Sequence, residues 1–376
     1  MRVLITGGAG FIGSHLAEAY LDRGDEVYII DDLSTGSLEN LLHLRQDAAK
    51  ADRLFITIDT VLNTDPLNEL IGTCDVIVHL AAAVGVQYIL DNPLSSILTN
   101  VQGTEKVLEL CAKFRKKVLI ASTSEVYGKQ IRPVLDEEDD CLYGPSTKSR
   151  WSYAASKLID EFTALAYYRS RDLQVCIVRF FNIVGPRQTG RYGMVIPRFV
   201  EQALSDVRLT VYGSGEQTRT FTHVGDACEA IMRLLDTPEA VGEVVNVGGI
   251  EEVTILDLAY RIRNKVGSIA DPQLIPYEEV FPYYFEDMQR RVPSTTKLKA
   301  LTGFSPRTGL NQILDDVIAH HRAQADRINR QMPAQTIARH TSAPPFATQL
   351  HLNTLQATPS TMNMIPNGST LGSDLR

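Results

Sequence analysis

The sequence predicts an α/β protein: a doubly wound parallel sheet, a smaller C-terminal α/β lobe, and a tail with no structure of its own. Three observations predict it. Short, continuous Val/Ile/Leu runs alternate with longer amphipathic segments through the first two-thirds of the chain, as when strands are covered on both faces by crossover helices. After about Asn182 the elements shorten and loops multiply. From about Gln324 onward periodicity stops, and Thr, Ser, Pro, Asn and Gln take over, a composition that cannot build a core.

In order, "RVLITG" reads as a strand, and "FIGSHLAEAYLDRG" as a helix that ends at Gly24, the residue type that most easily takes a left-handed cap. "EVYIIDD", "RLFITID" and "DVIVHLAA" are strands. "NVQGTEKVLELCAKF" is a helix leading into the strand "KVLIAST", and a helix from Tyr153 to about Arg171 leads into the strand "QVCIVRFFN". Beyond these, "GPRQTGRYG" reads as a loop. "MVIPRFVEQALS", "HVGDACEAIMRLLDT" and "TILDLAYRIRNKVG" read as helices, "LTVYG" and "EVVNVGG" as strands. The expected organisation is a sheet domain over 1–182, a lobe over 183–322 interleaved with it, and a tail over 323–376.

Composition narrows the function classes. At 44% hydrophobic and 22% charged residues, the 376-residue chain has the make-up of an ordinary globular protein able to bury a full core. A net charge of −8 with no strong basic stretch argues against nucleic acid or an anionic membrane surface as partner. No apolar run approaches the roughly 20 residues that cross a bilayer, and glycines break the apolar N-terminus, with no cleavage site after it. Five scattered cysteines (Cys74, Cys111, Cys141, Cys176, Cys228) form no CxxC and no His/Cys cluster. They are expected as reduced thiols in a cytoplasmic protein, with no metal site.

"TGGAGFIG" sets Gly7, Gly10 and Gly13 directly after a strand and at the opening of a helix. Glycine permits the tight turn and a close backbone approach, and the helix N-terminus then attracts a pyrophosphate. The second strand ends in Asp31, 18 residues after Gly13, with Asp32 next and no Arg beside it. A carboxylate there accepts from an adenosine ribose and repels a 2′-phosphate, which favours NAD over NADP in a Rossmann-type site.

"LIASTSEVYG" puts Thr123, Ser124 and Glu125 at a strand end, where open parallel sheets bind ligands. Taken alone, such a triplet reads equally as a solvated loop. "RWSYAASKLIDEF" places Tyr153 and Lys157 four residues apart, on one helix face. With 14 tyrosines in the chain, one such pair is near chance level. Its chemistry would be that of a base: an ammonium beside a phenol lowers the phenol's pKa from about 10 toward working pH.

The ordered motifs "TGGAGFIG", "DDLSTGS", "HLAA", "STSEVYG", "YAASK", "RFFNIVGPR" and "QTRTFTHVGD" resemble those of extended short-chain dehydrogenases/reductases, and within them the nucleotide-sugar epimerase/dehydratase/decarboxylase group, over roughly residues 1–322. The resemblance implies a catalytic set of Thr123, Tyr153 and Lys157, with Tyr153 as base and Lys157 also on the nicotinamide ribose; Glu125 joins it as acid or base. It implies an NAD site from Gly7, Gly10, Phe11, Ile12, Gly13, Asp31, Asp32, Asp59 and Asn100, with Leu80, Ala81 and Ala82 beneath the cofactor and Tyr153 and Lys157 touching it. On the substrate side it implies Ser124 and Asn182, and Arg187, Arg219 and Arg291 as candidates for a diphosphate, which the guanidinium fork suits. Each arginine also reads as a surface residue. A homodimer is the assembly the resemblance implies.

The resemblance also implies oxidation of the sugar 4-hydroxyl as the first step, after which the group's reactions diverge. Thr123-Ser124-Glu125 departs from the Asp-Glu that follows the catalytic Thr in 4,6-dehydratases, and from the Ala-Thr type of simple epimerases. It is similar to the "TSE" of UDP-glucuronate decarboxylases, whose Arg-x-Pro-Ser segment is matched by Arg291-Val292-Pro293-Ser294. Against this, their basic pair before Pro is absent, and "GVQYILDNP" is only loosely like their substrate loop. The expectation is a decarboxylase of UDP-glucuronate. A UDP-glucose or UDP-glucuronate 4-epimerase is the alternative, followed by a 4,6-dehydratase or a non-catalytic sugar-nucleotide binder.

Overall fold

Residues 1–85, 89, 91–190, 193–280 and 288–331 are described by the computed structural model. Strands β1 (Arg2–Thr6), β2 (Glu26–Asp31), β3 (Leu54–Ile58), β4 (Val76–His79), β5 (Lys117–Thr123), β6 (Val175–Phe181) and β11 (Val244–Gly248) build one seven-stranded sheet in the order β11-β6-β5-β4-β1-β2-β3. Every neighbouring pair is parallel. Parallel strands are buried on both faces, which is why β1, β4 and β6 are apolar without alternation. The strand order reverses between β1 and β4, and the crevice at that point is where such sheets take ligands.

Helices follow the strands with recognisable stops. Helix α1 (Phe11–Arg23) ends on Gly24 at φ 97°, whose N–H bonds back into the last turn. The short α2 (Leu42–Gln46) and α3 (Ala48–Ala51) lie between β2 and β3, and α4 (Thr64–Thr73) precedes β4. Helix α5 (Pro93–Phe114) starts on a proline, whose missing N–H costs nothing there, and so begins earlier than its amphipathic stretch suggests. Helix α6 (Ser152–Arg171) packs against α5 and β5. One core cluster joins α1, Val224–Asp236 (α8) and one sheet face. A second joins α4, α5 and the other face.

The second part of the chain holds α7 (Val195–Leu204), α8, α9 (Ile255–Val266) and the small strands β7 (Ile183–Val184), β8 (Thr210–Tyr212), β9 (Thr218–Thr220), β10 (Thr222–His223), β12 (Glu252–Thr254), β13 (Gln273–Ile275) and β14 (Arg290–Arg291). Strands β12, β9 and β14 make a three-stranded sheet, and α7 and α9 close a separate apolar cluster with the last helix. The strand read in "EVVNVGG" pairs with β6 and completes the main sheet, which thus takes one strand from beyond residue 182. The last helix, α10 (Leu310–Gln331), runs nine residues into the stretch expected to be an unstructured tail. After His321 its described side chains are exposed; the Ala, Gln and Arg there are good helix formers and extend it without a core. Residues 332–376 lie outside the described ones. Met1–Asp326 groups as one compact unit and Arg327–Arg376 as another, of which Arg327–Gln331 is described.

Candidate active site

The glycine turn is shaped by backbone contact. Gly7 sits at φ 72°, and a Cβ on it would meet the Ala81 amide nitrogen at 2.9 Å; one on Gly13 would lie 2.3 Å from the Gly7 carbonyl oxygen. Helix α1 starts on Gly10 with no side-chain cap and no acid in its first turn, so the amide end at Phe11, Ile12 and Gly13 suits an anion. Asp31 closes β2 and accepts from the Ala9 amide at 2.9 Å and the Leu33 amide at 2.8 Å. Burial lifts its carboxyl above the ordinary range against the pull of those amides. Asp59 stands at the neighbouring strand end, its amide bonded to the Asp31 carbonyl, and Asp32 accepts from Ser34. These features fit a dinucleotide: an uncapped helix N-terminus for the pyrophosphate and a carboxylate one strand away for a ribose.

The segment after β4 is pinned against this turn. Leu80 and Ala81 amides bond to the carbonyl and hydroxyl of Thr6, and the Asn100 side chain accepts from Ala83 at 2.7 Å. Ala82 is therefore carried between two fixed points. His79, fully buried, lies between the Thr6 hydroxyl (2.8 Å to Nδ1) and the Thr104 hydroxyl (3.2 Å to Nε2). Burial, then the charge of Lys157, lowers its pKa to about 3.

That shift gives a signed prediction. Between pH 6.5 and about 3 the unfolded chain binds a proton on His79 that the folded chain refuses, so stability falls as pH drops through this window. The slope is about 1.4 kcal/mol per pH unit. His15 and His321, each lowered to about 4, act in the same direction, while the raised carboxyls of Asp31 and Glu137 oppose them. The His79 part is the difference between wild type and His79→Gln in thermal unfolding measured across pH 7 to 4. Equal slopes for the two would overturn it.

At the end of β5, Thr123 caps a single 3₁₀ turn (Ser124–Tyr127), its hydroxyl accepting from the Glu125 amide at 3.2 Å. Helix α6 packs on this turn and brings Tyr153 and Lys157 to the same side of the sheet. Lys157 is buried, with its ammonium 2.7 Å from Asp160. From the lobe, β14 pairs with β9 so that Arg291 stands beside Arg219. Arg291 donates to the Ser124 hydroxyl at 3.4 Å and lies 3.7 Å from the Glu125 carboxylate. It is held there because Leu135 bonds the Val292 carbonyl and accepts from the Ser294 amide. Arg219 is buried and donates to the Thr218 carbonyl. Asn182, at φ 40°, turns the chain out of β6, with its side-chain amide on the Thr220 carbonyl.

Arg187, expected as a candidate for the diphosphate, stands beside α1. Its guanidinium donates to Glu18 at 2.5 Å, to the His15 ring and to the Asn40 carbonyl, and its amide donates to His320. It is a clasp on the side of α1, because the glycine and proline before it carry the chain past that helix. The substrate-loop reading of "GVQYILDNP" falls partly outside the described residues.

Sequence reasoning missed the floor of the site. Glu161 takes a two-pronged bond from Arg179 (3.0 and 2.7 Å) and a short one from the Ser122 hydroxyl, all buried. Arg179 also reaches the Glu137 carbonyl, and Glu137 accepts from the Asn246 amide, tying β5, α6, β6 and β11 together. The signal was present: Arg179 interrupts an apolar central strand, and a buried charge needs a partner. No metal-binding cluster occurs among the described residues, and no described helix is long and apolar enough to cross a membrane.

Residues 4–317 match the family described as GDP-mannose 4,6 dehydratase. The chain belongs to that family. It is an enzyme fold of the extended short-chain dehydrogenase type. Among similar proteins, a UDP-N-acetyl-alpha-D-glucosaminuronate decarboxylase of Bacillus cytotoxicus is 42% identical over 85% of this chain and 98% of its own. UDP-glucuronic acid decarboxylase 2 of Arabidopsis thaliana is 33% identical over 91% and 74%. A solved UDP-glucuronic acid 4-epimerase from Bacillus cereus, in complex with UDP-glucuronic acid and NAD, superposes with a TM-score of 0.77 at 28% identity, over 86% and 100%. The similar proteins thus include decarboxylases as well as a 4-epimerase.

Proposed function

We propose that this family member is an NAD-dependent decarboxylase of a UDP-hexuronate. The observation that carries it is Arg291 docked on Ser124 and Glu125, a guanidinium beside the catalytic strand end where dehydratases have a second carboxylic acid. Residues 1–182 hold the cofactor and 183–322 the sugar nucleotide, with Asn182 and Arg219 on the nucleotide side of Arg291.

The glycine turn, Asp31 and Lys157 would hold NAD, which would supply the hydride acceptor for sugar carbon 4 and the donor for its later reduction. Tyr153 removes the 4-hydroxyl proton, and the Lys157 ammonium stabilises the phenolate. Thr123 donates to the oxygen that becomes the ketone. The ketone lies β to the carbon 6 carboxylate, so the C5–C6 bond breaks with its electrons entering the carbonyl and CO2 leaving. Glu125 is the side chain of the triplet able to hold a proton for carbon 5. Arg291 orients the carboxylate before it leaves, through the fork geometry guanidinium offers.

The two groups of relatives differ in substrate only at carbon 2, hydroxyl against acetamido, so both nucleotides belong in the test. Incubation with UDP-glucuronate and with UDP-N-acetylglucosaminuronate is expected to release CO2 and a UDP-pentose from at least one. An epimeric uronate without CO2 from both sinks the proposal in favour of a 4-epimerase, the reading that the likeness to the Bacillus cereus enzyme supports. Arg291→Ala is expected to lower kcat/KM by about 10²-fold, the loss of a charged hydrogen bond of roughly 3 kcal/mol.

We also propose a homodimer through α5 and α6. Leu94 and Leu98 on α5 and Ile159 and Phe162 on α6 are exposed, and sedimentation is expected to read twice the chain mass. The five cysteines are free thiols, which supports a cytoplasmic location, testable by cell fractionation.

A further inference from the structure

Tyr153, Lys157 and Asp160 stand at i, i+4 and i+7 on α6, one stripe along the helix. Lys157 and Asp160 form an ion pair at 2.7 Å with side chains only 3% and 1% exposed. A carboxylate so deeply buried is costly unless a cation compensates it, and Lys157 is that cation. An ammonium has three donors. One is committed to Asp160, which leaves two for the ribose and the phenol. The pair is also shielded from other charge. His79 of β4 faces Lys157 but is held neutral by burial, through Thr104 of α5. Glu161, the other acid near Asp160, is bound by Arg179. Burial raises the Asp160 carboxyl above its ordinary range, and the contacts with Lys157 and Thr104 pull it back.

We propose that Asp160 is a positioning residue for proton transfer: it fixes the Lys157 ammonium at the inner end of the stripe and, by its charge, limits how strongly that ammonium draws the proton off Tyr153. With the carboxylate present, the pair is close to neutral as seen from the phenol. Without it, the phenol meets an uncompensated positive charge. Seven residues of helix put the carboxylate about 10 Å from Tyr153, and at that distance, in surroundings of effective dielectric near 20, one charge moves a proton affinity by about one pH unit.

The inference rests on Tyr153 being the base, and the experiment separates the two ideas. The full chain with NAD is titrated by ultraviolet difference absorbance of tyrosinate. Wild type minus Tyr153→Phe isolates the Tyr153 midpoint, and Asp160→Asn minus Asp160→Asn/Tyr153→Phe isolates it in the variant. The expected midpoint falls by about one pH unit in Asp160→Asn, the rising limb of kcat against pH moves with it, and Asp160→Glu returns both. An unchanged midpoint, with only thermal stability lowered, makes the pair a structural ion pair and overturns the proposal. Asp160→Ser removes the same charge and is read the same way if Asp160→Asn does not fold. Full turnover in Tyr153→Phe would instead sink the base assignment, whatever Asp160 does.

Discussion

Tyr153→Phe is expected to lower kcat by about 10²- to 10⁴-fold, the usual worth of a positioned acid–base group, while leaving NAD binding and the fold in place. The substitution removes one oxygen from a half-buried side chain on the first turn of α6, so its effect on stability stays within about 1 kcal/mol. Lys157, which anchors the other half of the pair, keeps its bond to Asp160. The readout is turnover of the UDP-hexuronate found active, beside thermal unfolding and NAD retention after gel filtration. Turnover near wild type would move the base elsewhere and with it the roles given to Thr123 and Lys157.

Glu161→Leu is expected to destabilise the protein by about 3–5 kcal/mol, the cost of leaving one half of a buried ion pair alone. Burial by itself would weaken the Arg179 charge, and the bonds it donates to Glu161 are what hold the guanidinium firmly protonated. Without them the cation sits inside the sheet with the Glu137 carbonyl and a Tyr127 ring as neighbours. Such a loss is a large part of a typical total stability of about 5–15 kcal/mol. The double variant Glu161→Leu/Arg179→Met is expected to recover most of it, since two apolar groups need no partner. Urea unfolding of the two single variants and the double variant checks this, and additive losses would show that the pair is not the source. Activity is expected to fall with stability, because Glu161 ties the Tyr153 helix to β5 and β6.

Much of the fold was legible because it depends on local pattern. Apolar runs in β1, β4 and β6 announced strands buried on both faces, and Gly24 announced the end of α1. The glycine turn was readable since Gly13 is demanded by contact with Gly7 and Gly8 close by in sequence and Gly7 by its own φ of 72°, although the Ala81 amide that also crowds Gly7 comes from a distant strand end. Less legible were the short strands β9, β12 and β14, whose two or three residues carry no periodicity and exist through pairing with each other. The final turns of helix α10 fell in the stretch expected as a tail, because they are held by propensity where apolar periodicity has already ended.

The same contrast runs through the site. Local spacing alone put Tyr153 and Lys157 on one helix face and Thr123, Ser124 and Glu125 at one strand end, since both follow from backbone geometry over a handful of residues. Only the tertiary structure decided which distant charges join them. It set Arg291 on Ser124, 167 positions away in sequence, and took Arg187 to α1 instead. It also paired Glu161 with Arg179 in the interior. A guanidinium or ammonium goes where a buried carboxylate or carbonyl can repay its lost hydration, and that partner is chosen by packing across the whole chain.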